Sequence, residues 1–412
     1  MKYGCIGEHL PHSFSKEIHG EIGSYDYVLK ELAPEEVPAF MTGKEFSGIN
    51  VTIPYKQAVI PFLDHIDETA EAIDAVNTVV NRGGELRGYN TDLYGLTRLI
   101  RRIGLDLSGR KVLILGTGGT SRTAAYAARA LGASRILKVS RTARDGAVSY
   151  DDAVRDHTDA EIILNTTPCG MYPDPDHQPL PLKPFRRLQG VADVIYNPLR
   201  SRLVLEARSL GLPAEGGLYM LVAQAVRASE LFLDTAYPEY LTDRIYHRIL
   251  RRKENFVLIG MPGSGKSAVG HALAEKTGLP FFDTDQLIVD RAGKPITGIF
   301  RDSGEKAFRD LESEVIRELS LRGGIIVSTG GGAVLRQENV TALKQNGRLF
   351  WLDRNPDFLV PTDDRPLADT EGKMKALYIE REPVYRSAAD EIVPVEGTPE
   401  QLAKTIFEAE GG

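Results

Sequence analysis

Two α/β units in series, each built on a sheet with parallel strands, are what this 412-residue sequence predicts, and three stretches carry the prediction. From the N-terminus, short apolar runs alternate with amphipathic stretches, the pattern of strands and helices taking turns. Further on, Arg110 to Leu115 runs into Gly116-Thr117-Gly118-Gly119 and an Ala-rich helix, the order a dinucleotide-binding fold requires. Last, the apolar run Phe256 to Ile259 ends in Gly260 to Ser267, read as Gly-Met-Pro-Gly-Ser-Gly-Lys-Ser, which is a phosphate-binding P-loop. P-loops follow the first strand of their domain, so the residues before Arg251 belong to a different unit. A mass of 45.3 kDa is also too large for one ordinary core.

Composition narrows the function. With 42% hydrophobic and 26% charged residues the chain reads as soluble, and no apolar run approaches the ~20 residues that span a bilayer. The first residues lack the apolar core of a signal peptide, which predicts a cytoplasmic, reducing setting. Cys5 and Cys169 match no zinc or disulfide spacing and are expected to be buried thiols. A net charge of −7 argues against a nucleic-acid partner. The one basic run, Arg244 to Lys253, reads as the solvated end of a helix running into a linker at 246–254.

In chain order, Tyr3 to Gly7, Tyr27 to Leu29 and Gly48 to Ile53 predict strands, while Lys16 to Ile22 and Glu35 to Met41 predict helices. Two polar clusters, His12-Ser13-Phe14-Ser15 and Asn50 to Lys56, fall beyond strand ends, where ligands gather in open α/β sheets. Serines there also commonly cap helices. Gly88 to Asp92 sets Asn90 and Asp92 at another strand-to-helix turn. After the glycine turn, a helix is expected over Thr123 to Leu131 and a strand over Ser134 to Val139. That strand ends in Ser140-Arg141-Thr142-Ala143-Arg144, where an NAD enzyme would carry an acidic residue. Arginines there clamp a 2′-phosphate, which favours NADP. Strands Glu161 to Asn165 and Val191 to Tyr196 follow, and then a helix over Leu218 to Leu233. Gln224 sits on its mostly apolar surface and must find a hydrogen-bond partner.

Together these motifs resemble shikimate dehydrogenase over nearly that family's whole length. The matches are His12-Ser13-x-Ser15, Gly48-x-Asn50-Val51-Thr52-x-Pro54-x-Lys56, Ala75-Val76-Asn77-Thr78, Asn90-Thr91-Asp92, Gly116-x-Gly118-Gly119, Arg141-Thr142, Tyr196-Asn197-Pro198 and Gly217-x-x-Met220-Leu221-Val222-x-Gln224. The resemblance implies that Ser13 and Ser15 hold the substrate carboxylate and that Lys56 and Asp92 are the catalytic pair. Thr52, Asn77 and Gln224 would bind ring hydroxyls, with Tyr196 beside them. NADP contacts are implied for Gly116, Thr117, Gly118, Gly119, Thr120, Ser140, Arg141, Thr142, Arg144, Val194 and Gly217. Quinate as substrate, or NAD as cofactor, is the rival within enzymes, and Arg141 with Arg144 argues against NAD.

From Asn255 the pattern restarts. The P-loop leads into a helix over Ala268 to Thr277, and Phe281-Phe282-Asp283-Thr284-Asp285 follows. Two acidic residues after a strand that faces a P-loop suit Mg²⁺ and a hydroxyl nucleophile. Then come Gly304-Glu305-x-x-Phe308-Arg309-x-x-Glu312, Ser328-Thr329-Gly330-Gly331-Gly332, Asp364-Arg365-Pro366-Leu367 and Arg381-x-Pro383-x-Tyr385. This half resembles shikimate kinase. By that resemblance Asp285 deprotonates the attacking hydroxyl, Arg309 and Arg381 grip a carboxylate, and Gly331 contacts the ring. Gly263, Ser264, Gly265, Lys266, Ser267 and the lid residue Arg365 bind ATP. Ser267 and Asp283 hold Mg²⁺, Asp283 directly or through water. The segment before Arg365 is shorter than the family's and lacks its extra arginine.

The expectation is a shikimate-dehydrogenase-like region over 1–245, with substrate-binding parts at 1–97 and about 218–245 around a Rossmann NADP-binding part at 98–217. A linker at 246–254 follows, then a P-loop α/β/α kinase domain with a central parallel sheet over 255–412. The enzyme is expected to reduce 3-dehydroshikimate with NADPH and phosphorylate the resulting shikimate with ATP and Mg²⁺. The alternative is a kinase-like half that senses nucleotide and shikimate. The oligomeric state stays open between monomer and homodimer.

Overall fold

A computed structural model describes residues 1–10, 13–143, 146–359 and 371–409. His12, Arg144 and Arg365 therefore lie outside the described residues. The chain divides into two compact units, Met1–Leu250 and Arg251–Gly412.

The first unit holds two six-stranded sheets. In spatial order one is Tyr27–Glu31, Tyr3–Gly7, Gly48–Val51, Thr78–Arg82, Glu85–Tyr89 and His65–Ile66. The alternation of runs predicts parallel strands here, and the first three are parallel, but Thr78–Arg82 runs antiparallel to both of its neighbours. Its pairing with Glu85–Tyr89 has a local cause: Gly83 and Gly84 have φ of 63° and 95° between the paired residues Arg82 and Glu85, which makes a two-residue hairpin that only left-handed backbone can close.

The second sheet is parallel throughout, in the order Ala214–Glu215, Gly190–Asp193, Ile162–Asn165, Lys111–Leu115, Arg135–Ser140, Val148–Ser149. The strand order reverses between Lys111–Leu115 and Ile162–Asn165, so a crevice opens where Gly116 turns. The following helix, Gly119–Ala130, starts four residues before the expected Thr123, because Gly118 already serves as its N-cap. Helix Leu218–Leu233 packs closely on Thr91–Arg102. Gly95 makes that possible, since a Cβ there would lie 2.5 Å from the Met220 carbonyl oxygen.

The expected linker is not a loop. Helix Tyr240–Lys253 runs through it, with Leu241, Ile245, Tyr246 and Ile249 buried in the first unit's core. Helical spacing of these apolar residues inside the basic run explains the difference: only one face of the helix is solvated.

The second unit is a parallel five-stranded sheet in the order Phe281–Asp283, Ile326–Ser328, Asn255–Ile259, Gly347–Asp353, Glu391–Pro394. The P-loop strand is central and fully buried. Its helix, Lys266–Thr277, begins two residues before the expected Ala268, with Gly265 at φ 95° as N-cap. The long helix Ile296–Ser320 is interrupted at Gly304, where φ is 77°. Among the described residues no helix is long and apolar enough to cross a membrane.

Candidate active sites

In the first unit, Lys56 lies in the turn after strand Gly48–Val51, its carbonyl accepting from Val76 N at 2.8 Å. Asp92 stands in the first turn of helix Thr91–Arg102, where unpaired N–H groups favour a carboxylate. Asn90 caps that helix, its side chain accepting from Leu93 N at 3.1 Å. Lys56 Nζ donates to Asp92 Oδ2 at 2.5 Å. The two side chains are only 13% and 10% exposed, so water screens the pair little.

Two amides complete the cluster. Asn77 Nδ2 donates to Asp92 Oδ1 at 2.9 Å and to Thr91 Oγ1 at 3.0 Å, and reaches Gln224 Oε1 at 3.5 Å. Thr91 Oγ1 donates to Gln224 Oε1 at 3.3 Å. Gln224 thereby finds the partner its apolar helix surface requires. Behind them runs a buried chain to which the sequence alone assigns no role. Tyr27 OH donates to Asn50 Oδ1 at 2.7 Å, Asn50 Nδ2 to Thr78 Oγ1 at 3.1 Å, and Thr78 and Thr91 hydroxyls lie 3.0 Å apart. Their position at strand ends beside Asn77 is the signal the sequence offers.

Of the remaining expected substrate residues, Ser13 Oγ accepts from Ser15 N at 3.3 Å. The N-cap position of helix Ser15–Ile22 is Phe14, which makes no side-chain cap bond, so Ser13 meets only the first N–H of the helix. Tyr196 packs its ring 5.2 Å from that of Phe14, and burial pushes its hydroxyl up to about 12. Thr52 N donates to Ile6 O at 3.0 Å, which ties its turn to the first strand. Cys5 is buried and its thiol is pushed up to about 12 by burial, with Lys56 lowering it and Asp92 raising it. Cys169 is only half-buried, so the expectation of two buried thiols holds for one of them.

The residues of the glycine turn fit a dinucleotide. Gly116 has φ 107° and would carry a Cβ 2.9 Å from Thr166 Oγ1, whereas a Cβ at Gly118 would meet nothing within 4 Å. Backbone there is open to a phosphate at a helix N-terminus. A Cβ at Gly119 would sit 3.7 Å from Lys56 Cδ, so the turn abuts the Lys56–Asp92 pair. Gly217 allows another close approach, since a Cβ would lie 2.1 Å from Val194 O. Thr117, Ser140 and Thr142 line a cavity of about 610 Å³ with Arg122 and Lys138, while Thr120 lies in the first turn of the helix. Arg141 is exposed and lies close enough to Tyr150 to oppose the rise that burial gives its pKa.

In the second unit a cavity of about 290 Å³ is lined by Gly263, Lys266, Ser267, Asp283, Asp285, Arg309, Gly331 and Arg381. Gly263 and Gly265 have φ of 79° and 95°, the left-handed backbone a phosphate-cradling loop requires. Lys266 Nζ donates to the carbonyls of Gly260 and Met261 at 3.0 and 2.8 Å. Ser264 departs from expectation. It is wholly buried and gives its N–H to Met261 O at 3.1 Å, so it shapes the loop and does not face the cavity. Ser267 Oγ donates to Asp283 Oδ2 at 2.7 Å, and this hard-oxygen pair beside the phosphate loop fits Mg²⁺.

Arg309 Nη1 donates to Glu312 Oε2 at 2.8 Å, and Arg381 Nη1 to Gly331 O at 3.0 Å. Glu312 is fully buried, and burial raises its pKa against the pull of Arg309. Sequence reasoning assigns Glu312 no role. Its place three residues after Arg309, on the same helix face, is the signal that could have found it. The glycine triplet permits close approach: a Cβ at Gly330 would lie 2.6 Å from Asp285 Oδ1 and 2.7 Å from Glu312 Oε1, and one at Gly332 2.3 Å from Arg309 Nη1.

With this geometry in view, comparisons with known proteins give a family match inside each unit. Residues 5–79 match the family model for the shikimate dehydrogenase substrate binding domain, and residues 262–410 match that for shikimate kinase. A shikimate dehydrogenase (NADP(+)) of Clostridium perfringens is 33% identical over 265 residues, covering 60% of this chain and 97% of the relative. One of Geobacillus kaustophilus is 36% identical over 250 residues, covering 55% and 91%. Among solved structures, shikimate dehydrogenase 1 from Peptoclostridium difficile is 32% identical with a TM-score of 0.56, covering 60% of this chain and 98% of that one. Shikimate 5-dehydrogenase from Thermus thermophilus in complex with NADP(H) and shikimate is 28% identical with a TM-score of 0.54, covering 60% and 99%.

Proposed function

This chain belongs to the shikimate dehydrogenase family over 60% of its length and carries a shikimate kinase domain behind it, and on that premise we propose that it performs two consecutive reactions. The first unit reduces 3-dehydroshikimate to shikimate, and the second phosphorylates that shikimate. The observation that carries the reading is the Lys56–Asp92 pair at 2.5 Å, set within reach of the Asn77 and Gln224 amides. When bound, NADPH supplies the hydride, and ATP with Mg²⁺ supplies the phosphoryl group.

The chain's own residues do the rest. Lys56 Nζ polarises the ketone oxygen and delivers its proton to the developing alkoxide, while Asp92 holds the ammonium in place. Asn77 and Gln224 orient the ring through its hydroxyls, and Ser13 and Ser15 receive the carboxylate. In the second unit, Arg309 and Arg381 grip the shikimate carboxylate, and Glu312 fixes the Arg309 guanidinium. Asp285 takes the proton of the attacking hydroxyl, Lys266 neutralises phosphate charge, and Ser267 with Asp283 would hold Mg²⁺.

One incubation of the full chain with 3-dehydroshikimate, NADPH, ATP and Mg²⁺, its products identified by mass, tests both halves. Shikimate 3-phosphate is the expected product. Shikimate alone would overturn the kinase half in favour of a nucleotide- and shikimate-sensing module. Unchanged 3-dehydroshikimate would overturn the first.

A further inference from the structure

Strand Gly190–Asp193 of the first unit ends in a carboxyl that no cation answers. Asp193 is wholly buried and forms no ion pair among the described residues, and burial pushes its pKa up to about 6 against the pull of its hydrogen bonds. All three partners donate to it: Asn165 Nδ2 at 2.9 Å and Ile195 N at 3.0 Å to Oδ1, and Ser201 Oγ at 2.5 Å to Oδ2. Two of them are amide nitrogens that cannot accept, so the arrangement suits the ionised form. A buried charge without a counterion lowers stability, and such groups concentrate where function uses them.

What this carboxyl organises is the surroundings of the glycine turn. On one side, Asn165 pairs with Asp193 across the strands, and its Oδ1 accepts from Thr167 N at 3.1 Å and from Thr167 Oγ1 at 2.8 Å. Thr166 and Thr167 wall the turn, since a Cβ at Gly116 would lie 2.9 Å from Thr166 Oγ1 and 3.1 Å from Thr167 Cγ2. On the other side, Ile195 N and Ser201 Oγ fasten both ends of segment 194–201 to the same carboxyl. That segment carries Tyr196, which packs on Phe14, and Ile195 O accepts from Gly217 N at 2.7 Å. One side chain thus joins two segments that chain order keeps apart.

We propose that Asp193 is a positioning residue for the reduction: its carboxylate holds segments 165–167 and 194–201 at a fixed spacing beside the glycine turn, and so sets where a dinucleotide bound there presents its hydride. Charge-assisted bonds to three donors hold the two segments more firmly than a neutral side chain of the same shape. The titratable neighbour is Cys169, whose thiol is raised by burial first and then by Asp174 and Asp193. This inference rests on the reading of the first unit as an NADP-dependent reductase.

The test compares the full wild-type chain with Asp193→Asn and Ser201→Ala, by NADPH fluorescence for binding and by NADPH oxidation with 3-dehydroshikimate for turnover, from about pH 5 to about pH 8. Wild-type protein that neither binds nor oxidises NADPH would refute the reading of the first unit, and the inference with it. Given that activity, Asp193→Asn should weaken NADPH binding about five-fold and lower kcat about ten-fold near pH 8. The deficit should shrink toward pH 5, where wild-type Asp193 is neutral as well. The 2′-phosphate of NADPH titrates in the same range, but it does so for both proteins and cancels in their ratio. Ser201→Ala removes one donor and keeps the charge, so it should show a smaller loss of the same kind. Wild-type binding and turnover in both variants would overturn the positioning role. A deficit equal at every pH would overturn it too, since it would make the carboxyl a packing group whose charge does nothing for the cofactor.

Discussion

In the proposed reduction Lys56 and Asp92 would share the work of proton delivery, the ammonium carrying the proton that the substrate oxygen needs and the carboxylate fixing where it is carried. Lys56→Met and Asp92→Asn should therefore each lower kcat by about 10²–10⁴-fold, while Asn77→Ala should act chiefly on KM for 3-dehydroshikimate. Steady-state kinetics of NADPH oxidation separates the two; a KM effect alone for Lys56→Met would remove it from the chemistry. Asp193 shows a different use of a buried carboxyl. It accepts from Asn165 Nδ2 at 2.9 Å, Ile195 N at 3.0 Å and Ser201 Oγ at 2.5 Å, yet burial raises its pKa from 3.8 to about 6. Because the folded state holds this proton more tightly than the unfolded chain, its contribution to stability is greatest below about pH 4 and is lost as pH rises to about 6. That loss is on the order of 3 kcal/mol. Asp193→Asn keeps the polar partners and removes the titration, so the variant's denaturation midpoint should rise relative to wild type across that window. Curves that run parallel would show that Asp193 does not titrate there.

Between residues and the whole, the glycine segments decide how closely elements approach. Gly330 follows strand Ile326–Ser328 and gives its N–H to Thr284 Oγ1 at 2.9 Å, which pins the triplet against the start of helix Thr284–Ala292. A methyl at Gly330 would collide with both Asp285 and Glu312. Gly330→Ala should thus displace Asp285, the proposed base, and lower kcat/KM for shikimate phosphorylation about 10²-fold, the scale of a 1 Å misplacement. NADPH oxidation, measured on the same sample, should not change. Retained kinase activity would mean that the collision is relieved without moving Asp285. The Gly83–Gly84 hairpin acts in the same way on the first sheet, where two left-handed residues set Glu85–Tyr89 antiparallel to Thr78–Arg82.

At the scale of the molecule, the two units have cores of their own, one set around Leu96, Ile114 and Val222 and another around Val257, Val327 and Trp351. Changes deep in one site should accordingly leave the other intact. Lys266→Met is expected to lower kinase turnover by at least about 10², keep NADPH oxidation within about two-fold, and make shikimate accumulate from 3-dehydroshikimate. A matching fall in NADPH oxidation would reveal coupling between the reactions. By itself the sequence determined the two α/β units, the P-loop, the glycine turn and nearly every group with chemistry at the candidate sites, because strand-to-helix punctuation and phosphate-binding turns are written in local residue types and spacing. Tertiary structure alone decided the rest. It joined Tyr27, Asn50, Thr78 and Thr91 into one buried chain, set Glu312 behind Arg309, buried Ser264 beneath its loop, and carried the helix Tyr240–Lys253 through the expected linker. It also put Lys138 and Arg122, and not Arg141, on the wall of one cavity. Each of these depends on which faces meet across long sequence separations, and local spacing carries no record of that.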